Sequence, residues 1–226
     1  VDSTNMLNEN KGMSESLLKE PIDKIIKQSK GRVIFTSFAS NLGRLKIIAE
    51  AGKKTGRSLV VFGRAMNNML NKATETSILT DFPALVDPRK AHLIPRENLL
   101  VIATGSQGET RAASAQLSRG KYMGLELEEG DTFVFSSKTI PGNEISVNTI
   151  INNLSEKGVI VKYSDDRDYH VSGHTNIPDM IGFYKNIKPL LVVPMHGEIR
   201  HLMGHKRVLA EKNIRAEIVR NGEIIE

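Results

Sequence analysis

Cysteine and tryptophan are both absent from the 226 residues. Without thiols there can be no disulfide and no thiolate metal site, so any metal must be held by histidines and carboxylates. The same absence fits a reducing, cytoplasmic setting. No apolar run nears the ~20 residues needed to span a bilayer. The polar start VDSTNMLNENKG has no signal-peptide pattern. No membrane partner is therefore expected. Seven Phe and four Tyr are too few to tile a surface with base-stacking rings. The sequence also lacks the GxxxxGK[ST] and GxGxxG patterns, which argues against a nucleotide-binding fold. The net charge of +5 permits contact with a polyanion but does not demand it.

What is present is an alternation of short apolar runs with helical patterns. Strands are predicted at 32–36, 58–62, 99–104, 131–137, 159–164, 190–195 and 215–219. Helices are predicted at 41–54, 64–73, 110–119, 143–158, 177–187 and 198–213. In the fourth of these, Ile145, Ile150, Ile151 and Leu154 read as one apolar face, and Gly158 as the stop. Residues 3–13 read as a linker, and 74–98, with three prolines, as irregular. This order implies an α/β fold, a mostly parallel sheet flanked by helices.

In such sheets ligands bind beyond the carboxyl ends of the strands. The loops there are TSFASN (36–41), GRAMN (63–67), TGSQGE (104–109), SSKTIPGNE (136–144) and MHGE (195–198). HVSGHTN (170–176) follows a predicted strand and the acidic run SDDRD. Small residues let the backbone approach a ligand, and hydroxyls with helix N-terminal amides bind oxyanions. Ser, Thr and Asn are equally ordinary helix caps. His92, His201 and His205 read as surface or satisfied core histidines. His201 and His205 share a basic helix with Arg200, Lys206 and Arg207, which suits a solvated or phosphate-facing surface better than a cation site. His174 and His196 differ, because each sits in a Gly-containing loop beside a predicted element end.

Taken together, Asp2-Ser3-Thr4-Asn5, Ser172-Gly173-His174-Thr175 and Pro194-Met195-His196-Gly197-Glu198 resemble three signature motifs of the β-CASP nucleases of metallo-β-lactamase fold. The additional loops narrow the resemblance to the bacterial ribonuclease J family. It covers nearly the whole chain. The family's His-x-His-x-Asp-His motif is missing and would lie before residue 1, as would a further His and a metal-bridging Asp. The resemblance therefore implies the C-terminal part of a nuclease core. Its parts would be the end of the lactamase domain and a linker (1–14), a β-CASP domain (15–171) and a returning lactamase segment (172–226).

The implied chemistry is two-zinc hydrolysis of RNA, both from the 5′ end and internally, in the cytoplasm. The implied partner is single-stranded RNA with a 5′-monophosphate, and the implied assembly a homodimer or homotetramer. By this resemblance His196 is a zinc ligand, its second nitrogen held by Glu198 or a carbonyl, and His174 moves a proton beside Asp2. Phe38, Ala39, Ser40 and Asn41, with His170, Val171, Ser172, Gly173 and His174, match substrate-binding positions. Ser37 and Arg64 join them from the reading of the loops. With most metal ligands upstream, the chain alone is expected to bind no stable zinc. An inert RNA- or phosphate-binding fragment is the competing expectation. A small-molecule phosphotransferase using the same loops is the other, and it gives no reason for the SGH and HGE spacing.

Overall fold

A computed structural model describes residues 1–163 and 168–225. The chain divides into two compact units, Ser14–Val171 and a discontinuous one of Val1–Met13 with Ser172–Glu226. All but Asp168 of the acidic run SDDRD (164–168), and the last residue of the strand predicted at 159–164, lie outside the described residues.

The larger unit is built on five parallel strands: β1 (Val33–Thr36), β2 (Ser58–Phe62), β3 (Leu99–Ala103), β4 (Thr132–Phe135) and β5 (Ile160–Lys162). Their order is β2-β3-β1-β4-β5. β1 and β3 are buried throughout, as expected of central parallel strands covered on both faces. β5 is a half-exposed edge. Alternate side chains sort into two cores. Val33, Phe35, Leu59, Val61, Leu100 and Ile102 pack under helices α1 (Lys19–Gln28), α2 (Leu42–Lys54) and α3 (Arg64–Glu75). Ile34, Val60, Phe62, Val101 and Phe133 pack on the other face under α4 (Ala113–Arg119) and α5 (Glu144–Glu156).

The parallel sheet and its flanking helices agree with the sequence reading, with two differences in this unit. Ile145 is 84% exposed, and Val147 takes its place in the core beside Ile150 and Leu154. At 100° per residue, 147, 150, 151 and 154 share a face, whereas 145 points away from it. Helix α1 was not read from the sequence. Its stripe of Leu18, Ile22, Ile25 and Ile26 has helical spacing, but Pro21 in the first turn interrupts the pattern. The irregular 74–98 stretch contains two 3-10 turns, Pro88–Leu93 and Arg96–Asn98. Gly158 does end α5, with φ +73 supplying the left-handed turn into β5.

The crossover after β1 runs to the α2 face, whereas those after β3 and β4 run to the α4 and α5 face. Connections that part to opposite faces leave a crevice at the carboxyl ends of these neighbours. The TSFASN, TGSQGE and SSKTIPGNE loops start there, in register, since Thr36 pairs with both Ala103 and Phe135.

The smaller unit carries α6 (Ile177–Ile187) and α7 (Ile199–Ala210) around a core of Met6, Met180, Tyr184, Val192, Leu209 and Ala216. The strands predicted at 190–195 and 215–219 are reduced to isolated parallel bridges, Val192 with Ala216 and Asp2 with Met195. Pro194 has no N–H to donate, so a ladder cannot run through it. Among the described residues no helix is long and apolar enough to cross a membrane.

Candidate active site

Three turns of the smaller unit are fastened to one another. In the first, the Asp2 carboxylate accepts the Thr4 N–H at 2.7 Å, the local bond that makes Asp a turn residue. Thr4 donates its hydroxyl to the carbonyl of His196 at 2.8 Å, and the Met195 N–H donates to the Val1 carbonyl at 2.8 Å. The Asp2 and His196 turns are thereby held side by side. Asn5 holds the remaining turn. Its amide donates to the carbonyl of His174 and to Asn176 Oδ1, both at 2.9 Å, and to Ser172 Oγ at 3.2 Å. Ser172 also accepts the His174 N–H, so its role in the structure is to form the turn.

These fastenings bring Asp2, His174 and His196 together, with one potential ligand atom of each lying within 4.8 Å of the others. His174 Nδ1 is 2.6 Å from Asp2 Oδ2. The rings of His174 and His196 stack at 5.5 Å and 26°. Burial alone would raise the Asp2 carboxyl, but hydrogen bonds from His174 and Thr4 outweigh it and hold its pKa below the usual carboxylate value. His196 sits in the left-handed region at φ +55. Histidine tolerates that region better than most residues, and backbone strain of this kind gathers at functional sites. Two imidazoles and a carboxylate are donors that zinc accepts. Asp2 Oδ2 and His174 Nδ1 are paired with each other, which leaves His174 Nε2 and the His196 ring as the nitrogen donors of the cluster. Glu198 meets Arg200 at 2.9 Å, and its backbone N–H donates to His201 Nδ1 at the start of α7.

The other predicted positions lie in the larger unit. Ser37 is buried and donates to the Ser136 carbonyl at 3.4 Å. Phe38 and Ala39 are partly covered, while Ser40 is exposed. Asn41 caps α2, its Oδ1 accepting the Arg44 N–H at 3.0 Å. Arg64 opens α3 in solvent. His170 and Val171 are half-buried. Burial pushes the His170 pKa down to about 4, helped by the Arg44 charge. His170 Nδ1 and Ser137 Oγ are buried with no hydrogen-bond partner among the described residues.

Three residues were missed from sequence. Arg44 is fully buried and donates to Glu15, Asn41's neighbour across the α2 cap, at 2.7 Å from both Nε and Nη2. Its Nη1 donates to the carbonyls of Ser136 at 3.0 Å and Tyr169 at 2.9 Å. It thus pins the residues that precede Ser137 and His170. An arginine in the first turn of a helix opposes the helix dipole, and that was the available signal. The third is His205. The surface reading of this residue is corrected, because it is fully buried between Ser3 and Tyr184. Its basic neighbours point outward on the other side of α7, and composition alone could not separate the two faces.

With this geometry in place, the comparisons are specific. Residues 30–154 match the family described as "Ribonuclease J, beta-CASP domain", and 164–219 match "Zn-dependent metallo-hydrolase RNA specificity domain". The class is thus that of a β-CASP domain followed by a segment similar to a metallo-hydrolase RNA specificity domain. The chain belongs to the ribonuclease J family. It is 38% identical over 225 residues to Ribonuclease J of Sinorhizobium meliloti, covering 99% of this chain and 40% of that protein. It is 37% identical to Ribonuclease J 1 of Streptococcus pyogenes (99% and 41%) and 35% to Ribonuclease J of Synechocystis (100% and 36%). The chain spans about two fifths of the length of these relatives.

Proposed function

We propose that this chain is the β-CASP and returning metallo-hydrolase portion of a zinc-dependent ribonuclease. The observation that carries the proposal is the Asp2–His174–His196 cluster, formed from three motifs far apart in sequence. Asp2 accepts the Nδ1 proton of His174, which fixes the imidazole tautomer and leaves Nε2 free. Nε2 is then the atom that gives a proton to the leaving oxygen or takes one from it. His196 would supply one ligand to a two-zinc centre. Bound zinc would polarise the scissile phosphate and provide hydroxide near neutral pH.

The substrate is RNA, with a 5′-monophosphate recognised at the carboxyl end of the larger unit's sheet. The buried His170 Nδ1 and Ser137 Oγ, without a partner among the described residues, support a ligand there, since buried polar atoms are normally satisfied. Ser37, Phe38, Ala39, Ser40, Asn41 and Arg64 belong to loops at the same strand ends. Val171, Ser172 and Gly173 continue from His170 toward His174. A homodimer or homotetramer and a cytoplasmic location complete the reading.

The test is RNA hydrolysis by the protein as its gene encodes it, followed by His196→Asn. The expected result is cleavage of 5′-monophosphorylated RNA that the variant loses together with bound zinc. Zinc-independent cleavage, or full activity in the variant, refutes the reading.

A second reading applies to these 226 residues by themselves. Asp2 is engaged by Thr4 and His174, so only His174 Nε2 and His196 remain as donors, too few for a two-zinc centre, and the piece binds RNA without cutting it. Equilibrium dialysis with zinc is expected to give well under one ion per chain.

A further inference from the structure

Beneath the cluster lies a buried chain of three side chains that the proposed reaction does not use. Ser3 Oγ is 2.9 Å from His205 Nδ1, and Tyr184 OH is 2.8 Å from His205 Nε2. Ser3 and His205 are 0% exposed and Tyr184 is 2% exposed. Burial pushes His205 down to about 4 and Tyr184 up to about 12, so both are neutral at pH 7.

The direction of the chain follows from its ends. The Ser3 hydroxyl reaches the Val1 carbonyl at 3.4 Å, so its proton points there. Ser3 Oγ must then accept, which makes His205 Nδ1 the protonated nitrogen. Nε2 in turn accepts from the Tyr184 hydroxyl. Every member is satisfied in this arrangement.

Each member also adjoins one part of the cluster. Ser3 follows Asp2 directly. Tyr184 lies on α6, the helix that HVSGHTN leads into. His205 lies on α7, the helix that the His196 turn leads into. The Val1 carbonyl at the end of the chain is also the acceptor for Met195 N–H, beside His196.

We propose that His205 is a positioning residue: through its Nδ1–H to Ser3 it fixes the Asp2 turn at the separation that lets Asp2 hold His174. The proposal rests on the nuclease reading for its effect on turnover, but its geometric core does not.

Two substitutions separate the nitrogens. Asparagine can place its amide near Nδ1, whereas glutamine can place it near Nε2. The experiment uses the protein as encoded, with His205→Asn, His205→Gln and Ser3→Ala. It measures kcat and KM on RNA, melting temperature, and the downfield N–H resonance of the His174–Asp2 pair. The expected result is that His205→Asn stays within about threefold of the parent kcat and keeps the resonance. His205→Gln and Ser3→Ala are expected to lose about tenfold or more in kcat, since small misplacements near reacting groups are costly. KM is expected to hold, and the resonance to weaken.

Equal kcat for the Asn and Gln variants overturns the proposal. So does a loss that tracks melting temperature alone. If the parent protein does not cleave RNA, the nuclease reading fails by itself, and the resonance comparison decides the positioning role. Retention of the resonance in His205→Gln and Ser3→Ala then overturns it.

Discussion

His174 pairs Nδ1 with Asp2, and under the proposed function Nε2 moves the proton, so the two residues are expected to fail in different ways when altered. In the protein as encoded, His174→Ala is expected to slow single-turnover cleavage about 10²–10⁴-fold, the usual value of a positioned acid or base. Zinc content, read by metal analysis, should stay unchanged, because the proposed zinc ligand is His196 and His174 is proposed to move a proton. At this scale the sequence was informative about the motifs and silent about their supports. Asp2, His174 and His196 carry rare residue types in recognisable loops, whereas Glu15, Arg44 and His205 act through partners distant in sequence. Such pairings exist only once the chain is folded, so no local pattern marks them. His205 illustrates the point, since its basic neighbours suggested solvent and its own side chain faces the core.

Among the elements, α2 connects fold and site most closely. Asn41 both caps this helix and bonds Glu15 Oε1 at 3.0 Å. Asn41→Ala is expected to cost about 1 kcal/mol in urea unfolding, the usual value of a lost cap. A rise in KM for 5′-monophosphorylated RNA beyond that would mark a binding role as well. Arg44 is more exposed to loss of stability, because two carbonyls and a partly buried carboxylate depend on it. Arg44→Met is expected to lose about 3 kcal/mol, as breaking a buried pair from one side does. Strands and helices of the larger unit were legible because apolar periodicity sets them directly. The Ile145 face failed because β-branched residues occur on both sides of α5, and only burial distinguishes them. The strands at 190–195 and 215–219 failed because apolar content says nothing about whether a neighbour supplies a ladder.

For the whole molecule, buried His205 and half-buried His170 set the acid limit. His170 and His205 both fall from 6.5 to about 4 on folding, burial being the main cause. The unfolded chain therefore binds more protons between those values. The stability that neutral imidazoles contribute is complete above pH 6.5 and is lost as pH falls toward 4. Melting temperature, measured from pH 7 to pH 4.5, should decline through that window, and His205→Asn should flatten the decline. Asp2 and Glu15, whose carboxyls are held low, add their loss only below the usual carboxylate range. The discontinuity of the smaller unit has a consequence in time. Asp2 precedes the larger unit in the chain, and His174, His196 and His205 all follow it. On a ribosome, Asp2 must wait for its cluster partners until translation has passed residues 174 and 196. The larger unit is contiguous and can fold in that interval. A nascent chain would thus complete its five-stranded sheet before the three residues of the Asp2–His174–His196 cluster could meet.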